Sequence, residues 1–232
     1  MLVLGFPVGS LQANCYVLAL GEGQRCVVVD PGQDALDAID QQVREHRLQP
    51  EAVLLTHGHF DHVFSAVDVC GRYGVPAYVH SADRFMLADP GAALGPQGRE
   101  FFGPDFALNE PDDVRELAGG DQLDLAGIRF EVRPSPGHTA GSVLFRAGTA
   151  EGGQLVLAGD TLFAGGIGRT DLPGGNGTQM QRSLRDEVLQ LPDETVVLPG
   201  HGPTTTISSE RASNPFLQDL PAPLARDAGT AP

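Results

Sequence analysis

Residues 56–62 read Thr-His-Gly-His-Phe-Asp-His, so three of the seven histidines fall within six positions, between an apolar run at 52–56 and a helical pattern at 63–74. Such a stretch can gather imidazoles only by leaving a strand end as an irregular loop. On one helix His57 and His59, two residues apart, would diverge, whereas in a loop both can turn toward one cation. Asp61 and His62 then open the next helix and can face a second cation beside the first. Imidazole with carboxylate suits zinc, iron or manganese better than soft thiolate metals or an all-oxygen calcium site. The competing reading is a histidine-rich surface loop.

Three further segments place a His or Asp next to glycine at the end of an apolar strand: Pro136-Gly137-His138-Thr139, Gly159-Asp160-Thr161 and Pro199-Gly200-His201-Gly202. Strand ends on one edge of a sheet point to a common site, and glycine lets the backbone turn tightly so that the next side chain aims inward. Singly, a capping Asp or a solvated His would explain each. Together with the first cluster they make seven candidate ligands, five His and two Asp, and leave His46 and His80 as bystanders.

The pattern between these segments alternates strand and helix. Strands are expected at 2–8, 15–19 and 25–30, the last closed by the turn pair Pro31-Gly32, so antiparallel β opens the fold. A helix at 35–47 carries Leu36, Ile39 and Val43 at helical spacing, and the strand at 52–56, the helix at 63–74 and a strand at 77–80 follow. From 90 to 113 lies a Gly/Pro-interrupted segment with Phe101, Phe102 and Phe106, too long for a plain connection and read as a lid or a flexible surface loop. Strands at 128–133, 142–146 and 154–159, a glycine-rich loop at 164–177, a helix at 179–190 and a strand at 195–198 form a second half that mirrors the first. Strands first and helix after, twice over, suits two sheets packed face to face with helices outside. Residues 1–219 are read as one domain and 220–232 as a flexible tail.

Charge and composition narrow the function. Fifteen basic residues stand against thirty acidic ones, a net −15 that disfavours nucleic acid as a partner. Every basic residue is Arg, which excludes lysine Schiff-base chemistry and a P-loop lysine. Cys15, Cys26 and Cys70 are an odd set without C-x-x-C spacing and read as small buried hydrophobes. The first twenty residues have neither a basic n-region nor an unbroken apolar run, so the expected location is cytoplasmic and no membrane partner is expected. Monomer and dimer both stay open.

In the order Asp30, the H-x-H-x-D-H segment, His138, Asp160 and His201, the chain resembles the metallo-β-lactamase superfamily over nearly its whole length. The resemblance implies an α/β fold, a four-layer αββα sandwich, in which His57, His59 and His138 hold one metal, Asp61, His62 and His201 a second, and Asp160 bridges them. It also implies that Asp30 supports the His57 loop, with shaping of the Pro31-Gly32 turn as its alternative role. The commonest β-lactamase subclass replaces the sixth motif residue and uses a Cys in its second site. This chain keeps His62 and His201, so antibiotic hydrolysis is not the preferred reading.

Within the superfamily, Gly159-Asp160-Thr161-Leu162-Phe163, Gly168-Arg169-Thr170-Asp171 and Asn214-Pro215-Phe216 look like the short glyoxalase II-like hydrolases; this sequence ends before their usual C-terminal helical domain. The implied activity is cleavage of S-acyl-thiol conjugates such as S-lactoylglutathione by a hydroxide shared between two divalent ions, zinc first, with iron or manganese as alternatives. Asp61 is expected to orient that hydroxide. Arg169 is the candidate anchor for substrate carboxylates, with a salt bridge to Asp171 as its alternative role. Phe163 is the other candidate substrate contact, although packing in the core is the reading it favours. Persulfide dioxygenases resemble the chain too and would use a single iron on His57, His138 and Asp160. A third reading is a metal-binding protein without turnover. Against it, seven ligand types are retained where a structural site needs four.

Overall fold

Apolar runs with every second residue facing the same way become strands, and here both faces of those strands are covered. The structure, a computed structural model, describes residues 1–96, 98, 100, 109–149, 152–218 and 220. Strands β1 (Leu2–Val8), β2 (Ala13–Ala19) and β3 (Arg25–Val29) pair antiparallel, as expected. Then β4 (Gln49–Leu54), β5 (Ala77–His80) and β6 (Val114–Leu117) add in parallel to complete a six-stranded sheet. A second six-stranded sheet holds β7 (Gln122–Leu125), β8 (Ile128–Pro134), β9 (Val143–Gly148), β10 (Gln154–Gly159), β11 (Val196–Pro199) and β12 (Thr205–Thr206). Its pairs are antiparallel except β10–β11.

Three apolar layers define the sandwich. Between the sheets, Leu18, Val27, Val29 and Leu54 meet Phe130, Phe145, Leu157 and Leu198. The alternate residues Val17, Val28 and Val53 point the other way, onto Ile39 of α1 (Ala35–Glu45) and Val69. On the far side Leu144, Val156 and Val197 pack on Met180, Leu184 and Ile207. Strands buried on both faces read as continuous valine and leucine, which is what helices outside two sheets require. Cys15, Cys26 and Cys70 are free and buried, as expected. Among the described residues no helix is long and apolar enough to cross a membrane.

Several expected boundaries move, each for a hydrogen-bonding reason. The helix at 63–74 is two helices, α2 (Phe60–Val63) and α3 (Ala66–Tyr73). Ser65 donates its N–H to the Pro31 carbonyl, so the Pro31-Gly32 turn takes the bond that would have continued the helix. The strand expected at 52–56 starts earlier and stops at Leu54, because the Thr56 N–H goes to the Asp30 carboxylate. The helix at 179–190 starts sooner, as α5 (Gly177–Ser183) capped by Asn176, and widens into a π-helical turn at Leu184–Val188. Helix α4 (Phe85–Ala88) precedes the 90–113 segment, whose described part includes a 3-10 turn at Ala92–Leu94. Phe101, Phe102 and Phe106, and residues 221–232 of the expected tail, lie outside the described residues. Strands β6, β7 and β12 and helices α6 (Ile207–Ser213) and α7 (Pro215–Gln218) are additions to the expected elements.

Registers place the functional segments together. Pro134 lies opposite Val143, Leu157 opposite Phe145, and Gly159 opposite Pro199, so β8, β10 and β11 all end on one edge of the second sheet. The Thr56 carbonyl accepts the Val143 N–H at 2.9 Å, which brings the end of β4 from the first sheet to that same edge.

Candidate metal centre

Ligand-type side chains form three groups at this edge: His57, His59 and His138, all buried, then Asp61, His62 and His201, and the buried Asp30, His57 and His62, which overlap the other two. Within each group the ligand atoms lie within 4.8 Å of one another. Asp160 stands between the first two. Its Oδ1 is 3.4 Å from His62 Nε2, while Oδ2 is 3.4 Å from His138 Nε2 and 3.6 Å from His201 Nε2. All seven candidate ligands are therefore brought together, and His46 and His80 are elsewhere, against Glu22 and the Ala82 N–H.

The surrounding hydrogen bonds determine which ring nitrogen His57, His138 and His62 present. Thr56 Oγ1 lies 2.6 Å from Asp30 Oδ2, and a carboxylate only accepts, so the hydroxyl donates. His57 Nδ1, 3.1 Å from that same Oγ1, must then donate to it, leaving the Nε2 lone pair bare. His138 Nδ1 donates to the Arg169 carbonyl at 2.8 Å, which bares its Nε2 toward His59 Nδ1, 2.8 Å away. His62 Nδ1 bonds Asp30 Oδ2 at 3.1 Å and turns Nε2 toward His201 Nε2, 3.3 Å away. Asp30 thus supports the His57 loop and also orients His62. It does so from a left-handed backbone conformation, φ 49°, that swings its carboxylate back across the end of β3.

Among the described residues four buried side-chain polar atoms lack a hydrogen-bond partner, and three of them are His57 Nε2, His59 Nε2 and Asp160 Oδ1. Orphaned polar atoms are costly, and their concentration here fits a site built for cations. Burial lowers the proton affinity of His57 and of His138, and takes His59 down to about 3, so this trio stays neutral, the state in which imidazole binds metal. At His62 burial acts downward too, but Asp160, Asp61 and Asp30 outweigh it and raise the ring to about 10. Burial opposes ionisation of Asp61, yet His62 and His201 hold its carboxyl well below the usual range. Seven His and Asp side chains without a thiolate suit divalent zinc, iron or manganese.

Close backbone approach makes the cluster possible. A Cβ on Gly200 would sit 2.2 Å from Asp160 Oδ1 and 2.8 Å from His62 Cε1, and one on Gly168 would sit 2.0 Å from the Asp160 carbonyl. Only glycine fits at either place.

Some of the supporting residues carried no sequence signal. Asp83, fully buried, accepts from Gly58 N at 3.0 Å, Gly141 N at 2.7 Å and Thr139 Oγ1 at 2.6 Å. It therefore joins the His57–His59 loop to the His138 loop. Burial pushes its carboxyl upward while those three donors pull it back. Asn14 and Tyr16 of β2 reach across to the other sheet and donate to the Pro199 carbonyl at 3.0 and 2.8 Å, which anchors the His201 loop. Thr56 adjoins the motif, and its place beside His57 was the one available hint.

A pocket of about 310 Å³ opens over Asp160, His138, His59, Asp61 and His201, and its remaining wall is largely Leu11, Phe60, Leu94, Phe163 and Leu172. Phe163 corrects its favoured reading: it is half-buried, lines the pocket, and sets its ring edge-on to His201 at 5.9 Å between centroids. Arg169 also lines the pocket, but its guanidinium makes a fork to Asp171 at 2.7 and 2.8 Å, the alternative role named for it.

The sequence profile described as the Metallo-beta-lactamase superfamily matches residues 8–201. An uncharacterized protein of Mycobacterium tuberculosis is 51% identical over 223 residues, covering 95% of this chain and 99% of the relative. Hydroxyacylglutathione hydrolase GloC of Haemophilus influenzae is 35% identical over 215 residues, 91% of this chain and 95% of its own length. Among solved structures, the BLEG-1 B3 metallo-beta-lactamase aligns with a TM-score of 0.82 at 36% identity, covering 94% of this chain and all of its own. TTHA1623 in a di-iron-bound form aligns at 0.76 and 37% identity, covering 92% of this chain and all of its own.

Proposed function

Because the chain belongs to the metallo-beta-lactamase superfamily, we propose that it is a metal-dependent thioesterase that hydrolyses S-acyl-thiol conjugates, with S-lactoylglutathione as the test case. The observation that carries this reading is Asp160, whose two carboxylate oxygens reach into both ligand trios beneath an open pocket. The resemblance to short glyoxalase II-like hydrolases and the 35% identity to GloC support the choice of thioester.

His57, His59 and His138 would hold one divalent ion, Asp61, His62 and His201 the other, and Asp160 both. When bound, such a pair supplies an electrophile for the substrate carbonyl oxygen and a water acidified toward neutrality. The protein's own groups do the rest. Asp30 and Thr56 keep the His57 and His62 rings turned so that the working nitrogens face inward. Asp61, kept ionised by His62 and His201, is placed at the pocket floor to accept a hydrogen bond from the attacking water. Phe163, Leu11 and Leu172 keep bulk solvent off the acyl carbon. The water oxygen bonds to that carbon, the C–S bond breaks, and the products are a carboxylic acid and a thiol. A thiol pKa near about 8.5 makes the thiolate a competent leaving group, so no separate general acid is needed.

A single-iron oxygenase would place its metal on His57, His138 and Asp160 and keep the other motif residues as hydrogen-bonding support around those ligands, whereas the convergence of Asp61, His62 and His201 favours a second ion. The test is metal analysis of protein purified without added metal, paired with assays on S-lactoylglutathione and on a cephalosporin. Two ions per chain, with thioester turnover that disappears on chelation, are expected. One iron per chain with oxygen uptake on glutathione persulfide, or cephalosporin turnover that exceeds thioester turnover, would overturn the reading.

A further inference from the structure

The wall of the pocket makes a statement about charge. Away from the ligand side chains it is Leu11, Phe60, Leu94, Phe163 and Leu172, and Arg169 is the one cationic guanidinium among its described residues. That guanidinium already spends Nε and Nη2 on the two oxygens of Asp171, a bidentate geometry that satisfies the fork. An anionic substrate group entering here would lose water against apolar side chains and meet an ion pair whose net charge is zero. The chain's −15 adds long-range repulsion of anions. Among the described residues, the guanidinium edge that the fork leaves over is the one cationic donor this wall offers the carboxylates of a glutathione conjugate, and its charge is offset by Asp171.

We propose that the pocket selects acyl thioesters of uncharged thiols, and that Asp171 sets this preference by neutralising Arg169. The inference rests on the thioesterase reading for the bond that is broken, but takes the charge preference from the wall alone. Asp171 is exposed, two residues from Arg169, and its carboxylate is bonded to the Arg169 guanidinium, so Asp171→Asn changes the charge at the pocket while keeping the side chain's size. An exposed ion pair is weak, which makes the preference adjustable by a single substitution.

Two matched ligand pairs test this on the metal-loaded protein. The first pair is the butyryl thioesters of N-acetylcysteamine, uncharged, and of 3-mercaptopropionate, anionic, compared by kcat/KM. The second is the corresponding S-butyl thioethers, which cannot be hydrolysed, compared by calorimetric binding. The quantity read is the anionic-to-neutral ratio in Asp171→Asn relative to the native protein, so any direct ligation of carboxylate by metal cancels. The ratio should rise about threefold to fivefold in Asp171→Asn, through KM and not kcat, and should return to the native value in Arg169→Ala/Asp171→Asn. An unchanged ratio in Asp171→Asn, or a native protein that prefers the anionic thioester while the double variant keeps that preference, would overturn the inference and leave the thioesterase reading standing. Thioethers that bind with the expected shift, together with thioesters that are not cleaved, would uphold the pocket's charge preference and sink the thioesterase reading. Failure of both thioethers to bind would overturn the inference outright.

Discussion

One carboxylate, Asp83, holds the loops that supply all three histidines of the first trio, and a fully buried acceptor with three donors has little room for error. In Asp83→Asn one oxygen becomes an NH₂ that must face a backbone N–H. A stability loss of about 1.5–3 kcal/mol is expected. Metal affinity should fall roughly 10–100-fold, measured by competition with a chromophoric chelator. A stability loss with unaltered affinity would show that Asp83 only packs and does not position the histidines. Gly200 makes a different demand. In Gly200→Ala the new methyl collides with Asp160 Oδ1 and the His62 ring, so metal content of the purified protein should fall below that of the native protein while far-ultraviolet dichroism is unchanged. Metal content equal to the native protein's would mean that the backbone there yields more easily than the contact distances imply.

At the scale of elements, the helices covering the first sheet are tied together by a charge. Asp40 of α1 accepts from the Tyr73 hydroxyl and from Arg72 Nη2 of α3, the latter at 3.0 Å. The Tyr73 hydrogen bond chiefly, then Arg72, holds the Asp40 carboxyl below its ordinary value of 3.8. A carboxyl depressed in the native state stabilises it above the unfolded value and ceases to do so as pH falls through the lower native value. Asp40→Ala should therefore cost about 1 kcal/mol at pH 7, and the gap from the native protein should close below about pH 4 in urea titrations. A gap that persists at low pH would assign the loss to packing instead. Element by element, legibility followed burial. Strands β1, β2, β3, β5 and β8–β11 and helix α1 announce themselves through apolar periodicity, because helices or the opposite sheet cover them. Strands β6 and β7 do not: each is only four residues long, the exposed Arg115 and Glu116 break any apolar period in β6, and the Leu123/Leu125 alternation of β7 is too short to stand out from a loop. The interruption between α2 and α3 was equally hidden, since it depends on the Pro31 carbonyl, more than thirty residues away from Ser65.

For the whole molecule, the metal centre is also a staple between the sheets. His57, His59, Asp61 and His62 follow β4 in the first sheet, whereas His138, Asp160 and His201 follow β8, β10 and β11 in the second. Ions bound there can only favour the closed sandwich. With free metal at about a thousandfold over Kd the linkage is worth about 4 kcal/mol, which for a chain of this length is about 8–16 °C in Tm. Chelation should lower the melting temperature by that order, and readdition should restore it; a Tm indifferent to metal would mean that the sheets hold the site and the site returns nothing. The amino-acid sequence by itself determined the donor chemistry, the layered α/β plan and the seven candidate ligands that the fold gathers, because short-range features suffice: glycine beside His or Asp, three histidines in one loop, and apolar runs of strand or helix period. Tertiary structure decided which ring nitrogens face inward, that Asp83 joins two loops, that Phe163 walls the pocket, and that Arg169 gives its charge to Asp171. The physical reason is that, apart from the bond of His57 to the adjacent Thr56, which is itself fixed by Asp30, the hydrogen bonds orienting the rings and loops, and the ring of Phe163 against His201, join residues 25 or more positions apart, while the fork at Arg169 acquires its meaning only from the pocket wall beside it.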